Sequence, residues 1–470
     1  MSSTLETIHE TLFNRIKNEF QTQLQALGVS LPVQSVESLA LSPSLSNTAS
    51  NASFNLEDQA LQALGNLLNI PNPEWSSPTQ CAAVLATLHL EHDIIAILAT
   101  GSGKTMLALI PSLIEHNRIT VVILSLRSLI SDYKRKLDKM ALSHEVYEEY
   151  TDRLNGKHNL LLVSADMART HDWRHCLSEL NERKPIIRMV FDEGHIPLTA
   201  QTFRQCLQNI EEIRFLPVQL VVLTGTVFST SIPALVEAYG LGLDTQIFRT
   251  PTNRPELEYR WMPSIAKKDI SSTTFTAVHD HLPSDSGARG LVFVSLLIYG
   301  AELAKSLDCD FYSGQAGISN TAREEMYNRW ITGEKRVMVC TSAFGAGNDY
   351  SHVRLVVHVG TPFEMVDYVQ EVSRGGRDKQ TAICILLPIS INNPNLAVSE
   401  KDYGGKQKMY DALVSSNCIR YLLTSAMDDT GVYCLDDGQN RLCSRCASKS
   451  TRYHSESTSS YKLCLNFFQL

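Results

Sequence analysis

Ten short runs of apolar, β-rich residues alternate with stretches of helical periodicity, and they fall into two series. The first holds IIAIL (94–98), TVVILS (120–125), NLLLVS (159–164), IIRMVFDE (186–193) and QLVVLTGT (219–226). The second holds GLVFVS (290–295), CDFYSG (309–314), RVMVCT (336–341), RLVVHVG (354–360) and TAICILLP (381–388). A strand with one wet face alternates apolar and polar side chains, whereas these runs are apolar almost throughout, as strands buried on both faces are. Such strands, with helices between them, make parallel sheets covered on both sides. The gap around 245–285 therefore predicts an α/β chain of two similar lobes. A chain of 470 residues, 43% of them hydrophobic, has material for both cores.

The first lobe alone carries a glycine turn of defined chemistry, ATGSGKT at 99–105. It lies between a strand-length run and a helical pattern that begins at Met106, and this context sets aside the reading of GSGKT as a mere flexible loop. Gly101 and Gly103 let successive N–H groups turn inward on phosphate oxygens, with Thr100 and Ser102 beside them, and the following helix adds its positive end. Lys104 is then expected to reach the β- and γ-phosphates, and the Thr105 hydroxyl to ligate Mg²⁺. The strict pattern asks for a glycine where Leu98 stands.

Asp192 and Glu193 end a buried strand, where ligand crevices form in open α/β sheets. Alone they are ordinary turn chemistry. After a P-loop at this distance they read as a Mg²⁺-holding carboxylate and a base for the attacking water, with His195 placed to sense the γ-phosphate. Thr224 and Thr226 in LTGT read equally as a relay or as plain strand-end polarity. In the second lobe Arg374 and Arg377 stand three apart, the arrangement of guanidinium groups that stabilise charge on a transferring phosphoryl group. Gln370 and Asp349 are polar groups suited to couple that cleft to ATP or DNA.

The ordered set ATGSGKT, FDEGH, LTGT, TSAFGAGND and YVQEVSRGGRD resembles the motor core of superfamily 2 helicases, and specifically the RecQ family of DNA helicases, from about residue 74 to 446. The resemblance implies two RecA-like lobes, ATP and Mg²⁺ as cofactors, single-stranded and forked DNA as partners, 3′-to-5′ movement and a nuclear location. Only 24 residues follow Cys446, so a short form without winged-helix or HRDC domains is expected. The resemblance also puts Gln80 in the adenine-reading position, 24 residues before Lys104. Family members carry a zinc-binding subdomain after the second lobe. Here Cys418, in the helical-looking stretch KMYDALVSSNCIRYLLTSAM, and Cys434, Cys443 and Cys446 in a polar loop offer four thiolates for a structural Zn²⁺. The expected domains are a helix and Ser/Asn-rich linker (1–55), the first lobe (56–245), the second lobe (246–395), the zinc-binding subdomain (396–446) and a flexible tail (447–470).

The chain departs from the family in several places. Ser76 and Ser77 stand where an aromatic residue and an arginine are usual, Gly194 and Asn348 replace common residues, and the loop IPLTAQTFRQ lacks the aromatic content of its family counterpart, keeping only Phe203-Arg204. These changes leave open a copy that binds DNA without unwinding it, and the motor pattern alone leaves open an RNA-dependent DEAH-type ATPase.

Candidate strand contacts are Ser125, Arg127, Ser164, Ser295 and Thr341, each also explicable as strand-end polarity. The run Lys134-Arg135-Lys136 with Lys139 reads as a solvated helix face. Residues 1–30, with Leu5, Ile8, Leu12, Ile16, Phe20 and Leu24 at helical spacing, suit a protein partner. A net charge of −8 argues mildly against nucleic acid, although only the local field matters to a bound strand. No apolar run approaches the roughly 20 residues that span a bilayer, and the amino terminus has no compact apolar core, so no membrane partner is expected.

Overall fold

The computed structural model describes residues 47–449 except 100, 126, 150, 152, 200–206, 208, 316–317, 346–349 and 390–400. Helix α1 (Asn47–Leu68) opens the described chain and continues back into residues 47–55, which the Ser/Asn composition had assigned to a linker. Its Ala60, Ala63, Leu64 and Leu67 are buried, and this packing supports a helix that propensity alone would not. Helix α2 (Pro78–His89) follows, with Ser77 as its N-cap accepting from the Gln80 N–H and Pro78 inside its first turn.

The first sheet has seven parallel strands: β1 (Ile94–Ile97), β2 (Ile119–Leu124), β3 (Glu145–Val146), β4 (Leu160–Ser164), β5 (Ile186–Asp192), β6 (Gln219–Thr224) and β7 (Gln246–Arg249). They lie in the order β3-β4-β2-β5-β6-β1-β7. Helices α3 (Met106–Ile114), α4 (Arg127–Lys139) and α5 (His171–Arg183) cross between strands. Side chains of β1 alternate between two cores, Ile95 and Ile97 on one face and Ile94 and Ala96 on the other. This is why the run shows no polar alternation. Strand β6 lies between β5 and β1, with Ile97 opposite Thr224, so Thr224 stands between the P-loop that leaves β1 and the acid pair that ends β5.

The second sheet has six parallel strands: β8 (Leu257–Trp261), β9 (Arg289–Val294), β10 (Asp310–Tyr312), β11 (Val337–Cys340), β12 (Val353–Val359) and β13 (Ala382–Leu387), in the order β10-β11-β9-β12-β13-β8. Three strands fall where none was expected. β3 and β7 form the two edges of the first sheet, β7 extending it past residue 245, and β8 closes one edge of the second. All three are edge strands with half-buried positions, so a search for wholly apolar runs misses them.

After the second sheet come α6 (Lys406–Val414) and α7 (Ile419–Asp428). Cys418 is therefore not inside a helix, as the sequence suggested, but at the N-cap of α7. The stretch breaks at Ser415-Ser416-Asn417, where Asn417 Oδ1 accepts from the Cys418 N–H at 2.8 Å, a local bond that competes with helix continuation. Cys418, Ile419, Leu423, Cys434 and Cys443 share one core with Leu257, Tyr259 and Trp261 of β8. The corner thus packs as part of the second lobe.

This corner also grips the segment joining the lobes. The terminal nitrogens of Arg420 donate to Asn253 Oδ1 and to the carbonyls of Arg254, Leu257 and Arg441, at 2.7–3.1 Å. Asp428 accepts from Arg249 at 2.8 Å and from the N–H and hydroxyl of Thr252 at 2.7 Å each.

Candidate functional site

Gln80, Gly101, Ser102, Gly103, Lys104, Thr105, Asp192 and Glu193 of the first lobe line one cleft of about 360 Å³ together with Gln370, Arg374 and Arg377 of the second. His195 sits behind it, buried. Thr100 and Asp349 lie outside the described residues, as do Phe203, Arg204 and Asn348.

The P-loop is shaped by its glycines. Gly101 and Gly103 have φ of +86° and +76°, and a Cβ at Gly103 would collide with the Gln80 amide. Gln80 is buried, its Nε2 donating to Gly103 O at 3.3 Å and its Oε1 accepting from the Ser76 N–H at 2.8 Å. The Ser76 hydroxyl donates to Ser102 O at 2.7 Å. The two serines that depart from the family pattern thus act as a cap and a P-loop brace. Trp75 packs against the core beneath, and Leu64, Leu68 and Glu74 line the cleft near Ser76.

At the acid pair, Ser125 Oγ donates to Asp192 O at 2.6 Å, and the Glu193 N–H donates to Asp192 Oδ1 at 3.0 Å. Ser125 is buried in this role, and Ser164 is buried against Met167 N–H, so neither offers its hydroxyl to a strand. Glu193 adopts φ +52°, a conformation that costs an acyclic side chain about 1 kcal/mol or more and collects at functional sites. Burial and the Glu193 charge push the Asp192 carboxyl up, while Lys104 and the Tyr133 hydrogen bond oppose them. The Tyr133 hydroxyl donates to Asp192 Oδ2 at 2.7 Å, and burial with the Asp192 charge keeps that phenol protonated far above its ordinary range.

His195 Nδ1 lies 2.9 Å from Thr224 Oγ1. Burial, with Lys104 nearby, lowers His195 to about 4, so it is neutral at neutral pH. Of the two threonines left ambiguous by sequence, Thr224 makes this link, and Thr226 Oγ1 is buried without a partner. Gly194 is required sterically: a Cβ there would strike Val222 Cγ1, and its carbonyl accepts from Tyr239 Oη at 3.1 Å.

Across the cleft Arg374 is buried, and desolvation with the neighbouring Arg377 lowers it to about 10, still a cation. Arg377 packs its stem on the P-loop, 3.6 Å from where a Gly101 Cβ would be. Glu193 Oε2 and Arg374 Nε are buried without hydrogen-bond partners. Glu193 Oε2 lies 3.5 Å from His195 Nδ1, and an acceptor and a cationic nitrogen with hydrogen-bonding capacity left in one cleft are the groups a water and a phosphate would satisfy.

Helix α4 supplies what sequence reasoning missed. Leu129, Asp132, Tyr133 and Lys136 line the cleft at helical spacing, so Lys136 is not part of a solvated face: its Nζ donates to Thr105 Oγ1 at 3.1 Å. The signal was present as an i, i+4, i+7 stripe, but the basic run obscured it. In the second lobe Ser295 and Thr341 line a cavity of about 440 Å³ with Asp367, whose carboxyl burial, Glu371 and Glu364 push up to about 7.

The sulfurs of Cys418, Cys434, Cys443 and Cys446 lie within 4.8 Å of one another. Cys418 and Cys434 are 3.5 Å apart and Cys418 and Cys443 3.9 Å, against about 3.8 Å for thiolates at the corners of a zinc tetrahedron. The N–H groups of Ile419 and Cys443 donate to Cys443 and Cys434 sulfurs at 3.4 and 3.3 Å. Four sulfurs, three of them buried, fit a structural zinc ion. Cys464 lies outside the described residues.

Comparison with known proteins agrees with this geometry. Residues 77–233 match the DEAD/DEAH box helicase family, and 274–379 match the helicase conserved C-terminal domain. The chain is 27% identical over 314 residues to the ATP-dependent DNA helicase hus2/rqh1 of Schizosaccharomyces pombe, covering 63% of this chain and 23% of that protein. It is 24% identical over 351 residues to the ATP-dependent DNA helicase RecQ of Bacillus subtilis, covering 70% and 57%. It therefore spans well under two thirds of either relative. The fold is similar to the helicase MrfA bound to DNA and AMPPNP, with TM-score 0.56 and 16% identity, over 71% of this chain and 50% of that one.

Proposed function

We propose that this chain, a superfamily 2 helicase of RecQ type, hydrolyses ATP in the cleft between its lobes and uses the cycle to move along single-stranded DNA and separate duplex strands. The observation that carries this reading is the convergence of the P-loop, the acid pair and two arginines of the other lobe on one cleft. Lys104 and the P-loop N–H groups bind the phosphates, and Gln80 reads the base end. Glu193 orients the attacking water and takes its proton; Arg374 and Arg377 offset charge on the transferring phosphoryl group. Thr105 and Asp192 are the residues that would hold Mg²⁺, which supplies neutralisation of β- and γ-phosphate charge. Because the arginines come from the second lobe, the site is complete only when the lobes are apposed, and hydrolysis is thereby tied to lobe movement.

The zinc ion belongs to the same reading, held by Cys418, Cys434, Cys443 and Cys446 as a structural element of the corner that grips the interlobe segment. Forked DNA as substrate, 3′-to-5′ polarity, a nuclear place of action and docking of a protein partner on residues 1–30 follow from the family resemblance and the amphipathic pattern. Steady-state ATP hydrolysis with and without single-stranded DNA, beside Lys104→Ala, tests the core of the proposal. Stimulation by DNA that the variant loses supports it, with strand displacement on a forked duplex to follow. Equal or stronger stimulation by single-stranded RNA would turn the reading to an RNA-dependent ATPase, and no stimulation at all would turn it to a binding protein.

A further inference from the structure

The two oxygens expected to hold the divalent cation are each touched by α4. Tyr133 Oη donates to Asp192 Oδ2 at 2.7 Å, and Lys136 Nζ donates to Thr105 Oγ1 at 3.1 Å. The two residues are one turn apart on the helix and both line the cleft. A carboxylate has about four lone-pair sites and a hydroxyl two, so these bonds leave room for a cation on both oxygens. With Oδ1 accepting from the Glu193 N–H at 3.0 Å and Oδ2 from Tyr133, the Asp192 carboxylate is fixed in its plane at both ends. Lys136 acts differently, because it adds positive charge beside the place a cation would take.

We propose that Tyr133 and Lys136 are positioning residues that set the affinity for the nucleotide-bound divalent cation in opposite directions, Tyr133 tightening it by fixing Asp192 and Lys136 loosening it by like charge. The proposal rests on the nucleotide-site reading above and deepens it. It also gives α4 a place in communication between the lobes. Arg135 on the same helix stacks its guanidinium 5.0 Å over the Tyr327 ring of the second lobe and donates to Asp132 at 3.0 Å. Asp132 in turn lies within the field of Arg374. A change at the cation is thus felt by a helix that touches both lobes. The loop after the acid pair keeps only Phe203 of the aromatic content of the family pattern, whereas this contact is built from residues that are present.

The test is titration of free Mg²⁺ against binding of a fluorescent, non-hydrolysable ATP analogue by the 470-residue chain, its Tyr133→Phe and Lys136→Met variants, and Lys104→Ala. Loss of one hydrogen bond to a charged group is worth about a tenfold or larger change in an equilibrium. Tyr133→Phe should need about tenfold more Mg²⁺ for half-maximal tightening, and Lys136→Met should need severalfold less. Affinity for the analogue in magnesium-free buffer should be unchanged in Tyr133→Phe. A merely structural role would move both variants the same way and would weaken metal-free binding too; either result overturns the proposal. An unchanged Mg²⁺ dependence in Tyr133→Phe, with wild-type melting temperature, also overturns it. If the wild type binds the analogue no better than Lys104→Ala, the nucleotide-site reading itself fails, and the inference falls with it.

Discussion

The cleft between the lobes and the cysteine corner are both built from buried polar groups, but they treat their carboxylates in opposite ways. In the cleft Glu193 stands at positive φ with a buried oxygen that accepts no hydrogen bond. In the corner both oxygens of Asp428 are satisfied, by Arg249 of β7 and by Thr252 of the segment joining the lobes. Buried arginine nitrogens without an acceptor occur on both sides, Nε of Arg374 in the cleft and Nε of Arg420 and Arg249 in the corner, so the carboxylates carry the contrast. A buried acceptor left open costs about 1–3 kcal/mol, and a ligand that donates to it recovers that cost. The difference separates a site that works by accepting a substrate from a joint that works by not moving.

That contrast predicts that changes in the corner lower stability and changes in the cleft lower activity. The largest effect is expected at the cysteines. Metal analysis of the wild type should return one equivalent of zinc, and Cys443→Ala should lose it, since structural zinc contributes on the order of 10 kcal/mol. A fall of about 10 °C or more in the first melting transition should accompany the loss. Zinc absent from the wild type would break the corner side of the comparison.

Next comes Glu193→Gln, expected to cut DNA-stimulated ATP hydrolysis by about 10²- to 10⁴-fold while leaving nucleotide binding and the melting temperature in place. A variant that hydrolyses ATP normally would remove the acid pair from the chemistry. Asp428→Ala leaves the partly buried Arg249 guanidinium without its carboxylate and should cost about 3 kcal/mol in denaturant unfolding, with the Kd for nucleotide unaltered. If that variant instead lost nucleotide binding at full stability, joint and site would not be separable.

Gly194→Ala restores the residue common in the family, yet the added methyl meets Val222, and about 1–3 kcal/mol of destabilisation should follow. A double-mutant cycle with Val222→Ala should recover part of it, and additivity would show that the contact is not the cause.

The smallest effect concerns Asp367, held up near 7 by burial and by Glu371 and Glu364. A carboxyl raised in the folded state favours folding when protonated, and that advantage is present in acid and lost as pH rises through 7. Asp367→Asn should therefore raise the melting temperature by about 2 °C at pH 8, with the gain shrinking to nothing near pH 4. A gain that persisted at pH 4 would point to packing rather than charge.

Much of the molecule is legible in its residues taken a few at a time. Continuous apolar runs mark strands buried on both faces, and GSGKT between a strand and a helix marks a phosphate loop, because period and turn chemistry act over about ten residues. The edge strands β3, β7 and β8 were not legible, since a half-buried edge lacks that signature, and neither was the break before Cys418, where Ser and Asn end a helix that apolar spacing would have continued. Sheet order is not written locally at all. Only the placing of β6 between β5 and β1 brings Thr224 to His195, only the apposition of two sheets brings Arg374 and Arg377 to the P-loop, and only the crossover through α4 sets Tyr133 on Asp192, 59 residues away in the chain. The sequence by itself determined the parts and their chemistry; tertiary structure decided which parts meet, because contacts between distant segments depend on strand order and on the packing of whole helices, and no local pattern encodes either.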